Sequence, residues 1–240
     1  MEKQSQDNTS KGPLYIKALL DRSGSMQLGG LAGALVEGIN SLISEQKNTA
    51  KLLDTDPYVD IYSFDISIDH LRSDSINYID NIDFEEVSPR GATALSDSIG
   101  KVLEDSKEQE NVLFFIFTDG EENASKKFKG DEGLKKIREM IKNYSENKNW
   151  TILFGAANID AYKTSMDYGI SPNNAFNVTP NAPTISKMMR EVSNQLTCSS
   201  STGDEINIDL IREASYDIED DLLHLPPRVP SQILRAFNEE

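Results

Sequence analysis

The chain has 240 residues, 38% of them hydrophobic and 8% aromatic, with a formal net charge of −16. That length supports one sizeable α/β domain with an appendage, and the composition is that of a globular protein with a core. The charge argues against nucleic acid or an anionic membrane as a general partner, because both repel a chain without a concentrated basic patch. The densest basic run, Lys126-Lys127-Phe128-Lys129, is offset by Glu121, Glu122, Asp131 and Glu132 and reads as a solvated loop. The single cysteine, Cys198, leaves no intrachain disulfide and no cysteine-based metal site, which fits a reducing compartment. Residues 1–12 lack the apolar centre of a signal peptide, and no apolar run approaches the roughly 18–20 residues of a membrane helix. A cytoplasmic protein is expected.

After the polar residues 1–12, Leu14 to Leu20 reads as a buried strand. Apolar residues from Leu31 to Ile43 recur at helical spacing, and that helix fades near Asn48. Tyr58 to Phe64 is a second strand, and Ile66 to Leu71 alternates like a short antiparallel partner at a sheet edge. Asp74 to Pro89 is irregular, with a helical turn near Tyr78. A second long helix follows Ala92-Thr93, with Leu95, Ile99, Val102 and Leu103 as its core face. Asn111 to Phe117 is the most apolar run and reads as a central strand. A third helix carries Leu134, Ile137, Ile141 and Tyr144. Trp150–Ala156 is a strand, Asp160–Tyr168 a helix, Ala175–Val178 a short strand, and Ala182–Leu196 a final helix. Strands alternating with helices predict an α/β fold: a doubly wound, mostly parallel sheet of about six strands, one of them a short antiparallel edge, with helices on both faces.

Residues 199–240 differ in character. Thr197 to Gly203 has the composition of a linker. From Ser201 onward ten acidic residues face three arginines, so this sixth of the chain carries −7 of the −16. Its apolar residues, in Tyr216–Leu225 and Val229–Phe237, are too few for a core of their own. The reading is a loosely docked acidic tail, with a short helix at each cluster.

Three segments concentrate oxygen donors. The first strand ends in Asp21-x-Ser23-x-Ser25, one carboxylate and two hydroxyls at alternate positions with Gly24 allowing the bend. Hard oxygen donors on a tight loop suit Mg²⁺ or Mn²⁺, yet these three cannot satisfy such an ion alone. Thr93 lies at a helix start, and Asp119 ends the central strand in Thr118-Asp119-Gly120. Each has a plainer reading: Ser23 and Ser25 as turn residues, Thr93 as an N-cap, Asp119-Gly120 as an ordinary turn. Asp21 and Asp119 both fall at strand carboxyl ends, where doubly wound sheets bind ligands. Glu121, Glu122 and Arg90 read as surface charges.

Taken together, Asp21-x-Ser23-x-Ser25, Gly91-Ala-Thr93-Ala-Leu95 and Thr118-Asp119-Gly-Glu-Glu122 resemble the von Willebrand factor A domain with its metal-ion-dependent adhesion site. The resemblance runs from about residue 13 to 198 and leaves 1–12 as a flexible N-terminus and 199–240 as the acidic tail. It implies a Rossmann-like fold and a divalent cation, Mg²⁺ in the first place or else Mn²⁺ or Ca²⁺. Ser23, Ser25 and Thr93 would be ligands, with Asp21 and Asp119 acting through water or supporting the first shell. It further implies a protein partner that completes the coordination with an Asp or Glu. The absence of a secretory signal or anchor points to the intracellular members, which work as adaptors or assembly factors; a virus-encoded member is also compatible.

Catalysis has little support in the sequence. The only histidines are His70 and His224, no nucleophile has a base beside it in a motif, and neither the phosphate-loop pattern nor G-x-S-x-G occurs. A calcium loop opening at Asp21 fails, with Met26 at its sixth position and Ala32 at its twelfth. Two alternatives to the binding module are a structural domain with a stabilising metal and an interacting tail, and a metal-dependent phosphohydrolase.

Overall fold

A computed structural model describes residues 13–216. Six strands form one sheet in the order β3-β2-β1-β4-β5-β6. They are β1 Tyr15–Asp21, β2 Tyr58–Phe64, β3 Ile68–Ser75, β4 Val112–Thr118, β5 Trp150–Ala156 and β6 Ala175–Asn177. All neighbours are parallel except β2 and β3, whose antiparallel pairing makes the edge hairpin. The predicted α/β architecture is the observed one.

The chain leaves β1 toward β2 and later returns to its other side at β4, so the winding reverses between β1 and β4. Side chains alternate across the central strands. Ile16, Ala18 and Leu20 of β1, with Leu113, Phe115 and Phe117 of β4, pack on α1 (Leu31–Leu53) and α5 (Ala182–Thr202). Leu19, Phe114 and Ile116 pack on the opposite layer, formed by α2 (Leu95–Asp105), α3 (Gly130–Asn147) and α4 (Ala161–Asp167). Burial on both faces explains the unbroken apolar runs of β1 and β4.

One polar residue interrupts this pattern. Lys17, in mid-β1, is 1% exposed and forms an ion pair with Asp60 of β2. Asp60 also accepts from Ser73 Oγ at 2.7 Å and lies 2.9 Å from His70 Nε2, so its carboxylate is shared among three partners. Burial lowers the Lys17 ammonium below its ordinary range, and the Asp60 charge opposes that shift.

The structure extends two helices beyond their predicted ends. α1 continues past Asn48 to Leu53, and α5 continues through the Thr197–Thr202 stretch expected to be a linker. The cause is a polar contact between these helices. Gln46 Nε2 donates to Ser193 O and Thr197 Oγ1, and the Thr49 and Thr197 hydroxyls lie 3.1 Å apart. Gly203, at φ 82°, then ends α5. A further helix, α6 (Ile208–Ala214), packs Ile211 into the α1/α5 layer. Its buried Arg212 donates to the carbonyl oxygens of Ala175 (3.1 Å) and Asn173 (2.5 Å). Within the stretch read from composition as the start of a loose tail, residues 199–202 thus complete α5 and 208–214 form α6, docked through Ile211 and Arg212, while 203–207 connect them without regular structure. The short helices expected in Tyr216–Leu225 and Val229–Phe237 lie outside the described residues apart from Tyr216. So do residues 1–12, expected to be a flexible N-terminus.

Candidate functional site at the carboxyl end of the sheet

The turn at Gly24–Gly30 follows β1, and its geometry is set by Asp21. Asp21 Oδ1 accepts from Ser23 N at 2.6 Å, and Oδ2 accepts from Thr118 Oγ1 at 2.6 Å. Both carboxylate oxygens are thereby engaged by protein, and the β1 and β4 ends are tied together. Ser23 Oγ and Ser25 Oγ stand 3.0 Å apart, and Ser25 Oγ donates to Asp119 Oδ1 at 2.6 Å. Leu28, 69% exposed, projects from the same turn, while Gly29 at φ 62° lies against Pro180 O, where a side chain would collide.

Thr93 arrives from the opposite side. Its N–H donates to Asn123 Oδ1 (2.9 Å), and its carbonyl accepts from Asn123 N (3.0 Å) and Ala124 N (3.1 Å). It is not an N-cap: Ala94 holds that position, without a capping side chain. Glu122 satisfies the helix start instead, accepting from Ser96 N at 2.7 Å and from Ala124 N, Ser125 N and Ser125 Oγ. Glu122, read as a solvated charge, in fact staples the loop after β4 to α2.

The convergence of the three loops is measured at Gly120. A Cβ placed there would lie 3.1 Å from Thr93 Oγ1, 3.4 Å from Ser25 Oγ and 3.9 Å from Ser23 Oγ. Residues separated by nearly a hundred positions thus turn three hydroxyls on one small space, which only the missing side chain of glycine leaves open. Asp119 stands beside it with Oδ2 buried and without a hydrogen-bond partner. Asp21 and Asp119 are 1% and 2% exposed. Burial pushes the Asp119 carboxyl up to about 6, and the nearby Asp21 charge adds to the rise. Burial also raises Asp21, against the hydrogen bonds from Thr118 and Ser23.

The cation sequence-adjacent to the site does not answer these charges. Arg22 turns away and donates to Ser63 Oγ (3.0 Å), Glu86 O (3.1 Å) and Asp69 Oδ2. Arg90, read as a free surface charge, donates to Asp65 Oδ2 at 2.8 Å. The two arginines and two aspartates brace the β2–β3 turn against the Asp21 loop. An orphaned buried carboxylate oxygen beside a cradle of hydroxyls fits a small hard cation well. Among the described residues no group of three or more His, Cys, Asp or Glu forms a metal cage, so any ion bound here would rely on hydroxyls. The five predicted residues, Asp21, Ser23, Ser25, Thr93 and Asp119, come together at the β1/β4 reversal. Sequence reasoning did not single out Thr118, Asn123 or Arg22 and misread Glu122. The adjacency of Thr118 to Asp119 was a usable signal; the roles of Asn123 and Glu122 depend on a loop that only folding brings to α2.

No family model matches the chain, and no curated protein sequence matches it. Solved structures do. The ArnB paralog VWA2 from Sulfolobus acidocaldarius superposes with a TM-score of 0.51 at 15% identity, covering 79% of this chain and 45% of that one. A von Willebrand factor type A protein from Catenulispora acidiphila gives 0.51 at 10%, covering 78% and 43%. The pilus adhesin SpaC from Lactobacillus rhamnosus GG gives 0.58 at 11%, covering 80% and 31%. This is the von Willebrand factor A fold. The chain spans less than half the length of each of these proteins. Among the described residues no helix is long and apolar enough to cross a membrane.

Proposed function

We propose that the chain is a metal-ion-dependent protein-binding module, with the cation held by Ser23, Ser25 and Thr93 and supported by Asp21 and Asp119. The observation that carries this reading is the unpartnered, buried Asp119 Oδ2 beside three convergent hydroxyls. When bound, a Mg²⁺ or Mn²⁺ ion would supply an electron-poor centre that takes a carboxylate from outside, because the hydroxyls around it are neutral. Asp21 fixes the Ser23 loop, Thr118 fixes Asp21, and Asn123 holds Thr93 in place from both sides of its peptide. Leu28 and Ile66, 69% and 65% exposed, project from loops at this end of the sheet and offer apolar contacts to a partner.

The partner is then a protein that presents an Asp or Glu, and the role is that of an adaptor or assembly factor rather than an enzyme, acting in the cytoplasm. His70 supports no catalytic part: it stacks on Tyr62 and faces Asp60 on the edge hairpin, away from the Asp21 loop. Co-purification from the native cell, with wild type and Asp119→Ala in Mg²⁺ or EDTA, tests the reading. A protein retained only by wild type in Mg²⁺ is expected. Partners held equally in all four conditions would move the interaction to another surface.

A further inference from the structure

We infer that the partner carries further acidic residues beside the one at the metal, and that these lie in the groove between the β4–α3 loop and α4. This rests on the metal-binding reading above and adds the character of the partner. A groove of about 710 Å³ opens next to the site. Its lining includes Glu121, two positions after Asp119, and Asn123, whose Oδ1 accepts from Thr93 N at 2.9 Å. A segment whose carboxylate reached the cation would have this groove beside it.

The groove gives a role to the densest basic run of the sequence. Lys126-Lys127-Phe128-Lys129, whose composition suggests a solvated loop, is pinned. Asp97 on α2 accepts from Lys126 N (2.7 Å), Lys127 N (2.9 Å) and Phe128 N (2.7 Å). The Phe128 ring is buried in the layer formed by α2 and α3. Lys127 pairs with Glu104 at 2.5 Å, outside the groove. Lys126 and Lys129 line the groove instead, and α4 adds Lys163. Among the described residues none of these three ammonium groups has a hydrogen bond or ion pair.

Four carboxylates also line the groove, but two of them are engaged. Glu122 accepts from Ser96 N, Ala124 N, Ser125 N and Ser125 Oγ, and Asp160 accepts from Tyr162 N (3.0 Å) and Lys163 N (3.2 Å). Glu121 and Asp167 then stand against three free lysines, on a chain of net charge −16. Spare ammonium groups on so acidic a protein favour an acidic segment, and the carboxylates among them disfavour a polyanion such as nucleic acid. Leu134 and Ile159, both half-buried, add an apolar contact for one side chain between the acids. Ser96 Oγ and Tyr168 OH, 2.9 Å apart and both buried, tie α2 to the end of α4. The walls are therefore formed before a partner arrives, which keeps the ordering cost of binding low.

The test uses the full chain, loaded with Mn²⁺ as judged by calorimetry, and two labelled peptide amides read by fluorescence anisotropy. Gly-Asp-Glu-Leu-Glu-Glu carries acids for both the cation and the groove, and Gly-Asp-Gln-Leu-Gln-Gln keeps only the first. Exposed ion pairs are individually weak, so wild type should prefer the first peptide by about tenfold, and less as NaCl rises. Lys126→Gln/Lys129→Gln/Lys163→Gln should still bind Mn²⁺ but take both peptides alike. Lys51→Gln/Lys142→Gln/Lys187→Gln removes the same charge from exposed positions on α1, α3 and α5 and should keep the wild-type preference. Equal affinity of wild type for the two peptides, or no binding of either at millimolar peptide, would overturn the inference while leaving the metal site intact. Equal loss of preference in both lysine variants would also overturn it, in favour of a general field. Binding of the acidic peptide unchanged by EDTA would detach the groove from the metal and overturn it as well. If no protein bound Mn²⁺, the metal-binding reading itself would fail and take the inference with it. A Mn²⁺-dependent dimer in sedimentation, lost in the groove variant, would overturn it in favour of a second copy of this chain.

Discussion

Substituting Gly120 by alanine should damage the site and spare the fold. The added methyl would sit 3.1, 3.4 and 3.9 Å from the Thr93, Ser25 and Ser23 hydroxyl oxygens. A Mg²⁺ ion needs its donors at about 2.0–2.1 Å, so these hydroxyls must close on the space that the methyl enters. Overpacking of this kind costs about 1–3 kcal/mol, charged here to the metal-bound state, which is about a 5- to 150-fold loss of affinity. Without metal the cost should be small. Gly120 is not in the left-handed region, and of the three hydroxyls only that of Thr93, at 3.1 Å, stands closer than ordinary contact and need give by a few tenths of an ångström. Gly100→Ala is the contrasting control, because its methyl would lie 2.3 Å from the Phe128 ring. The assay is calorimetric Mn²⁺ titration paired with thermal unfolding in EDTA. Gly120→Ala should lose Mn²⁺ affinity with little change in Tm, and Gly100→Ala should do the reverse. Wild-type Mn²⁺ affinity in Gly120→Ala, or a fall in Tm as large as that of Gly100→Ala, would refute the reasoning.

Thr93→Val, which keeps the shape and removes the hydroxyl, should likewise weaken Mn²⁺ binding with little effect on Tm in EDTA, because no hydrogen bond to Thr93 Oγ1 exists among the described residues. Lys17→Met removes the buried cation facing Asp60, leaving that carboxylate only Ser73 and His70, and should cost about 3 kcal/mol in urea unfolding, with metal affinity unchanged. Acid should destabilise the protein through carboxylates remote from the cradle. Burial works to raise Asp65 and Asp97, but the Arg90 bond and Arg22 charge at Asp65, and the N–H groups of residues 126–128 at Asp97, outweigh it and hold both below the usual range. Arg72 holds Glu86 low in the same sense. A carboxylate lowered on folding adds stability above its unfolded value and loses it as pH falls toward the folded one. Urea midpoints in EDTA should therefore drop as pH falls below about 4, and Arg72→Gln should flatten that drop.

Much of the fold was legible because burial on both faces leaves little ambiguity in runs such as Val112–Thr118 and Tyr15–Asp21. The α2 and α5 core faces were readable from spacing alone; Leu95, Ile99, Val102, Ile185 and Met188 are all fully buried. The helix ends were not legible. Gln46, Thr49, Ser193 and Thr197 look like solvent-facing residues until α1 and α5 are placed together, where they satisfy one another. The same limit hid the supports of the candidate site. Asp21, Ser23 and Ser25 announce themselves by alternation on one loop, and the chain reversal places Thr93 and Asp119 against them. Arg22, between two of those residues, points into the β2–β3 hairpin, and Glu122 caps a helix that begins 27 positions earlier, at Leu95. Such contacts between segments distant in sequence leave no periodic trace.

The most direct test of the account is the stoichiometry of Mn²⁺ binding at neutral pH, by calorimetry, in wild type and in Ser23→Ala/Ser25→Ala. One ion per wild-type chain and none in the double variant, with both proteins folded by circular dichroism, is the predicted result. One ion bound with unchanged affinity by the double variant would contradict it and place the cation elsewhere.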